Sequence, residues 1–210
     1  VKTNSATITG LAADTSYSYR IRVRNVDGVS AYNTPKTIHT APEVPAATAT
    51  STENRAIVRW KAVPGATSYD VMFDGTTYRV TGTNRTISGL IGGAVYAYQV
   101  RSNGANGSSS YSPVKNIMIV PDVPEVIGAT AESYALTISW KEAAGASGYE
   151  VLLREKTYTT TGTSVKITGL SASTGYNYQV RAKNAGGYSQ YTSIYRAVTL
   201  VKPPATPVIN

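Results

Sequence analysis

Among its 210 residues the chain has no cysteine, one histidine, one phenylalanine and two tryptophans. Without thiols there is neither a disulfide framework nor a thiolate metal site, so core burial alone has to hold the fold. The single histidine, in Ile38-His39-Thr40, has no second histidine and no acidic cluster beside it in sequence. A Ser-His-Asp triad or a zinc site is therefore not expected, and His39 reads as an ordinary strand-end residue. No run of about 18 apolar residues occurs, so no helical membrane span is expected. Val1-Lys2-Thr3-Asn4 does not read as a signal peptide. P-loop, EF-hand and dinucleotide fingerprints are missing too, as is Arg-Gly-Asp, and no cofactor is expected.

Charge is also sparse, with 15% charged residues and a net charge of +8. The excess is even: +3 over residues 1–41, +3 over 42–120 and +2 over 121–202, with no basic run. Diffuse charge favours solubility and weak attraction to acidic surfaces, and a nucleic-acid site would need a denser basic groove. Arg20, Arg22 and Arg24 alternate with Tyr19, Ile21 and Val23 and read as a solvated strand face. No nucleic-acid partner is expected.

What the chain does have is tyrosine, 16 copies, in a background of Ser, Thr, Gly and Val that suits strands. It also repeats. Gly10-Leu11, Gly89-Leu90 and Gly169-Leu170 are spaced by about 80 residues, the period of a small repeated module. Each Leu is followed six residues on by Tyr17, Tyr96 or Tyr176, and two further on by Tyr19, Tyr98 or Tyr178. Trp60 and Trp140 keep the same period, and each precedes a tyrosine, Tyr69 or Tyr149, by nine residues. Period-2 alternation predicts strands over 47–51, 56–60, 68–73, 76–80, 85–88, 95–102 and 114–120, and matching ones over 135–140, 148–154, 157–160, 164–168, 175–183 and 194–200. Seven short strands in about 80 residues is the pattern of a small Greek-key sandwich. Asp27-Gly28, Asp74-Gly75 and Asn103-Gly104 read as turn dipeptides.

The Trp, the Tyr-x-Val nine residues later, the Gly-Leu and the six-residue step from Leu to Tyr together resemble the fibronectin type III family, over essentially the whole chain. The resemblance implies tandem seven-stranded, all-β, immunoglobulin-like sandwiches. It makes Trp60 and Trp140 core residues of strand B, and Leu11, Leu90 and Leu170 core residues of the corner. Tyr17, Tyr96 and Tyr176 become the tyrosine corner that ties strand F to the preceding loop. Leu90-Ile91-Gly92-Gly93 departs from the family pattern and predicts a looser corner in that copy.

The expected organisation is the C-terminal part of a repeat at 1–41, whole domains at 42–120 and 121–202, and the start of a further repeat at 203–210. Pro204-Ala205-Thr206-Pro207-Val208 resembles Pro42-Glu43-Val44-Pro45 and Pro121-Asp122-Val123-Pro124, where repeats two and three start. The chain thus reads as an excerpt of an array of at least four units. Proline-bearing junctions predict an extended, semi-stiff rod without floppy linkers.

Asp70 and Glu150 lie between inward Tyr and Val and are expected to face solvent, in cross-strand ion pairs with Arg101 and Arg181 worth roughly 0.2–1 kcal/mol. The F–G loops carry the most suggestive repeated surface residues: Tyr32, Tyr111 and Tyr191 at the same period, with Tyr188 beside the last. Tyrosine among Ser, Gly and Asn is a paratope-like mixture able to stack on sugars, whereas packing on the sheet rim explains its recurrence in every copy at least as well. Asn84-Arg85-Thr86 and Asn106-Gly107-Ser108 match the glycosylation acceptor pattern.

The resemblance implies a non-enzymatic, extracellular structural or adhesive segment, as in bacterial surface, filament or phage tail proteins. Its expected partners are a cell-surface glycan or protein and neighbouring repeats, at the cell surface or on a virion. The alternative is an accessory region of a secreted polysaccharide-degrading enzyme. Self-assembly is a third reading, weakened because residues 1–41 and 203–210 together still lack strands B and C.

Overall fold

Runs in which Val, Ile and Tyr alternate with Thr, Ser and Arg form twenty short strands, and no helix occurs among the described residues 5–204. The structure is a computed structural model. The residues of the expected further repeat beyond Pro204 lie outside the described residues. No helix of the described residues is long and apolar enough to cross a membrane. The chain divides into two compact units: Val1–Thr48 with Val58–Arg85 and Ala97–Lys115, and Ala49–Ile57 with Thr86–Tyr96 and Asn116–Asn210.

The first copy contributes β1 (Ser16–Tyr19), β2 (Arg24–Asn25), β3 (Gly28–Val29) and β4 (Lys36–His39). β1 pairs antiparallel with β4, and β2 with β3. Leu11, expected in a core, is 39% exposed, as Ile21 and Val23 are at 63% and 71%. Among the described residues this copy has only the two-stranded sheets β1-β4 and β2-β3, and they leave these side chains uncovered.

The middle copy contains β5 (Thr48–Thr52), β6 (Arg55–Arg59), β7 (Ala66–Phe73), β8 (Thr76–Val80), β9 (Asn84–Ser88), β10 (Val95–Gly104), β11 (Gly107–Ser108) and β12 (Lys115–Met118). One sheet has the order β5-β6-β9, the other β11-β10-β7-β8 with β12 on β10. The third copy repeats both with β13 (Val126–Ala131), β14 (Ala135–Trp140), β15 (Gly148–Leu153), β16 (Lys156–Thr160), β17 (Ser164–Thr168), β18 (Gly175–Asn184), β19 (Gly187–Tyr188) and β20 (Tyr195–Val198). Its core joins Leu136, Ile138 and Trp140 of β14 and Ile167 of β17 to Tyr149, Val151 and Leu153 of β15 and Tyr176, Tyr178, Val180 and Ala182 of β18. Two sheets are thus sealed face to face, and burying each such side chain contributes roughly 1.5–3 kcal/mol. The chain is a tandem of all-β sandwiches.

Each whole copy has eight strands where seven were expected, because the last one is broken. Its first piece, β11 or β19, turns straight back on the preceding strand, and its second, β12 or β20, rejoins that strand further along. Asn103-Gly104 is a second correction. It is not a turn but the end of β10, where Asn103 faces both Ser68 and Ser108 and the register shifts at Gly104. A Cβ on Gly104 would come within 2.5 Å of the Gly65 carbonyl oxygen, so this bulge requires glycine. The turn itself lies at 105–106.

Candidate interaction face at the F–G turns

The break in the last strand is held open by side chains. Ser109 Oγ accepts from the Ser102 amide (3.1 Å) and Ser112 Oγ from the Val100 amide (3.1 Å). In the third copy Ser189 Oγ accepts from Ala182 N (3.0 Å) and Thr192 Oγ1 from Val180 N (3.0 Å). In the first copy Ser30 Oγ accepts from Val23 N, and Asn33 Oδ1 from Ile21 N. Side-chain oxygens thus replace the carbonyls of a regular ladder. In the two whole copies they are buried, so each satisfies an amide that water cannot reach. Gln99 and Gln179 donate back to the Ser112 and Thr192 carbonyls at 2.9 and 2.8 Å. None of these residues was singled out from sequence.

Between each pair of these side-chain acceptors stands the loop tyrosine, and this backbone lays it over an arginine. The Arg101 guanidinium lies 4.7 Å from the Tyr111 ring centre, and that of Arg181 lies 4.5 Å from Tyr191 and 4.0 Å from Tyr188. Arg20 and Arg22 approach Tyr32 at 5.4 and 4.8 Å. These are cation–π distances. Tyr111 and Tyr191 are half-buried, whereas Tyr32 and Tyr188 stay 51% and 47% exposed.

Under the rings lie the carboxylates, and here the expectation of solvent-facing acids is wrong: Asp70 is 1% exposed and Glu150 7%. They do point away from the core, but long side chains from neighbouring strands roof them. Asp70 faces Arg101 on β10 and Arg79 on β8. Arg79 donates to it through Nε (2.8 Å) and Nη2 (3.1 Å), and Arg101 through Nε at 2.9 Å. The Arg79 hydrogen bonds lower the Asp70 pKa to about 2; burial opposes them and Arg101 reinforces them. On β16 the place of Arg79 is taken by Thr159, leaving Glu150 with Arg181 alone, at 2.8 and 2.6 Å. Tyr188 is the other group that acts on it: hydrogen bonding of its phenol to Glu150, ahead of the carboxylate's charge, raises the Tyr188 pKa.

The remaining sequence candidates sit as follows. Trp60 is 6% exposed and Trp140 1%, each ring tilted against Tyr69 or Tyr149 at 5.3 Å. The Tyr17 and Tyr176 hydroxyls each accept at 2.8 Å, from Ala12 N and Ser171 N. Tyr96 accepts from Ile91 N at 3.2 Å, the longest of the three corners. Leu90 and Leu170 are half-buried. Tyr69 and Tyr149 make a second set of hooks, accepting from Val63 N and Ala143 N. His39 is not without partners: its Nε2 lies 3.0 Å from Asp14 and its Nδ1 2.8 Å from Ser16. Folding brings β1 and the loop before it to β4, a meeting the sequence order hides. Among the described residues no three His, Cys, Asp or Glu gather as metal ligands.

The family model of the fibronectin type III domain matches residues 122–197. Chitinase A1 of Niallia circulans is 34% identical over 70% of this chain and 24% of its own length. Exoglucanase B of Cellulomonas fimi is 30% identical over 96% of this chain and 22% of its own length. Fibronectin type III domain-containing protein 7 of Mus musculus is 28% identical over 100% of this chain and 30% of its own length. The chain therefore spans less than a third of each of these relatives.

Proposed function

The chain belongs to the fibronectin type III family, and from that premise we propose that it is a non-catalytic spacer segment of an extracellular protein, with residues 42–120 and 121–202 as its whole domains. The observation that carries this reading is the state of the F–G tyrosines. Tyr111 and Tyr191, the best candidates for an adhesive loop, have their rings on Arg101 and Arg181, which in turn neutralise the buried Asp70 and Glu150. Rings committed to an internal stack support the fold before they serve a ligand. The hydroxyls, the hooks and the ion pairs all contribute to holding a small sheet edge, the work expected of a connecting module.

A second reading has its own support. The chitinase and exoglucanase relatives favour an accessory segment of a polysaccharide-degrading enzyme, joining domains that this chain does not contain. The test is to place the chain between a cellulase catalytic domain and a cellulose-binding module and to compare it with a direct fusion. Faster turnover of insoluble cellulose with unchanged turnover of a soluble oligosaccharide is expected. Equal rates on the insoluble substrate would remove the spacer reading. The isolated chain is expected to hydrolyse neither.

A further inference from the structure

Away from the F–G turns, the third copy has an open groove of about 590 Å³ between the β15–β16 turn and the loop after β17. Leu153, Leu170 and Tyr176 line it, and Arg154 and Lys156 bring two cations to it. Among the described residues neither cation is held by a carboxylate. The Arg154 guanidinium lies over the Tyr176 ring at 4.3 Å, and the Lys156 ammonium lies 5.1 Å from the Tyr158 ring. Stacking engages the flat face of a guanidinium and leaves its N–H edge for an acceptor. Glu155 also lines the groove, so the local charge is one unit positive.

Two features set this turn apart. Arg154 has φ 55, in the left-handed region. The matching turn of the middle copy uses Asp74-Gly75, at φ 46 and 79, the residue types that tolerate this conformation. An arginine there costs backbone energy that the turn does not require, and such positions concentrate at ligand clamps. The middle copy also has Thr76 where the third has Lys156. Neither cation has a counterpart in the turn that the middle copy builds at the same place.

We propose that this groove binds a carboxylate-bearing polysaccharide, with the Arg154 fork and the Lys156 ammonium on the carboxylates of successive sugars. Guanidinium and carboxylate match as planar, bidentate partners, and an open groove admits a polymer. The inference rests on the extracellular reading above only in placing the chain among polysaccharides.

The test is affinity electrophoresis of the full 210-residue chain in gels containing polygalacturonate, or neutral hydroxyethyl cellulose, at several salt concentrations. Retardation by the acidic polymer alone is expected. Arg154→Asp/Lys156→Thr, which installs the middle copy's own residues, is expected to weaken it at least tenfold. Arg55→Asp/Lys61→Thr, the same charge change on exposed residues elsewhere, is expected to weaken it less than threefold. Lys156→Thr alone should fall between, and it serves if the double variant melts early. Equal losses in the two double variants, or no retardation of the parent chain, would overturn the groove. Such a result together with a positive fusion experiment would leave the spacer reading standing.

Discussion

Asp70 shows how far one residue's surroundings can depart from what its neighbours in sequence imply. Alternation places it opposite to Tyr69 and Val71, away from the core, and that is where it points. Two arginines and a tyrosine then close over it. Its folded pKa is about 2 against an ordinary 3.8, so its stabilising contribution is fully present above pH 4 and is lost as pH falls towards 2. Urea denaturation between pH 5 and 2 should show that loss, and Asp70→Asn should flatten it. The same substitution at pH 7 is expected to cost about 1–3 kcal/mol, since the arginines lose a charged acceptor in a buried place. Tyr188 gives a separate check. Its phenol should titrate above the usual tyrosine value, as read by carbon NMR of the ring, and Glu150→Gln should bring it down.

At the scale of the element, the broken last strand is the feature that organises the F–G face. Thr192→Val keeps the shape of the side chain and removes the acceptor from a buried Val180 amide, which should cost about 1–3 kcal/mol in chemical denaturation. Faster hydrogen exchange at the Val180 amide would tie that cost to the lost bond; an unchanged rate would refute the assignment. The tyrosine corners offer a graded series. Tyr176→Phe should cost about 1 kcal/mol and Tyr96→Phe less, because the Tyr96 bond is longer, 3.2 against 2.8 Å. Much of this was legible in sequence. The six-residue step from Leu to Tyr pointed to the corner, and Leu90-Ile91-Gly92-Gly93 to its weak copy. The hydroxyls were not, because Ser109 and Thr192 look like any strand-end polar residue until the amide each one satisfies is across the sheet from it. Asn103-Gly104 misled for a similar reason: the dipeptide suits a turn, and only the close approach of the Gly65 carbonyl shows that the glycine serves a bulge.

For the whole molecule, charge is the property that sequence alone makes predictable. The chain carries +8, spread evenly, so self-repulsion should weaken the folded state at low ionic strength. The two acids that matter most, Asp70 and Glu150, are buried, and salt screens their pairs less. Raising sodium chloride from about 20 mM to about 300 mM should therefore lift the thermal midpoint by a few degrees, as followed by tryptophan fluorescence. A fall would mean that exposed attractions such as Lys141–Glu125 and Lys166–Glu132 dominate.

The sequence by itself determined the class and rhythm of this protein: period-2 alternation, a repeat near 80 residues, the tryptophans and the corner tyrosines. These are local patterns with a fixed geometric consequence, because a strand's faces and a repeat's spacing follow from covalent order. Tertiary structure decided what the polar residues do. Whether an outward acid meets water or a roof of arginine and tyrosine depends on which strands lie beside it. So does whether an arginine at a turn finds a ring to stand on. Those neighbours lie on other strands and loops, Arg79 nine residues from Asp70 and Arg101 thirty-one, and sequence order alone does not say which of them meet.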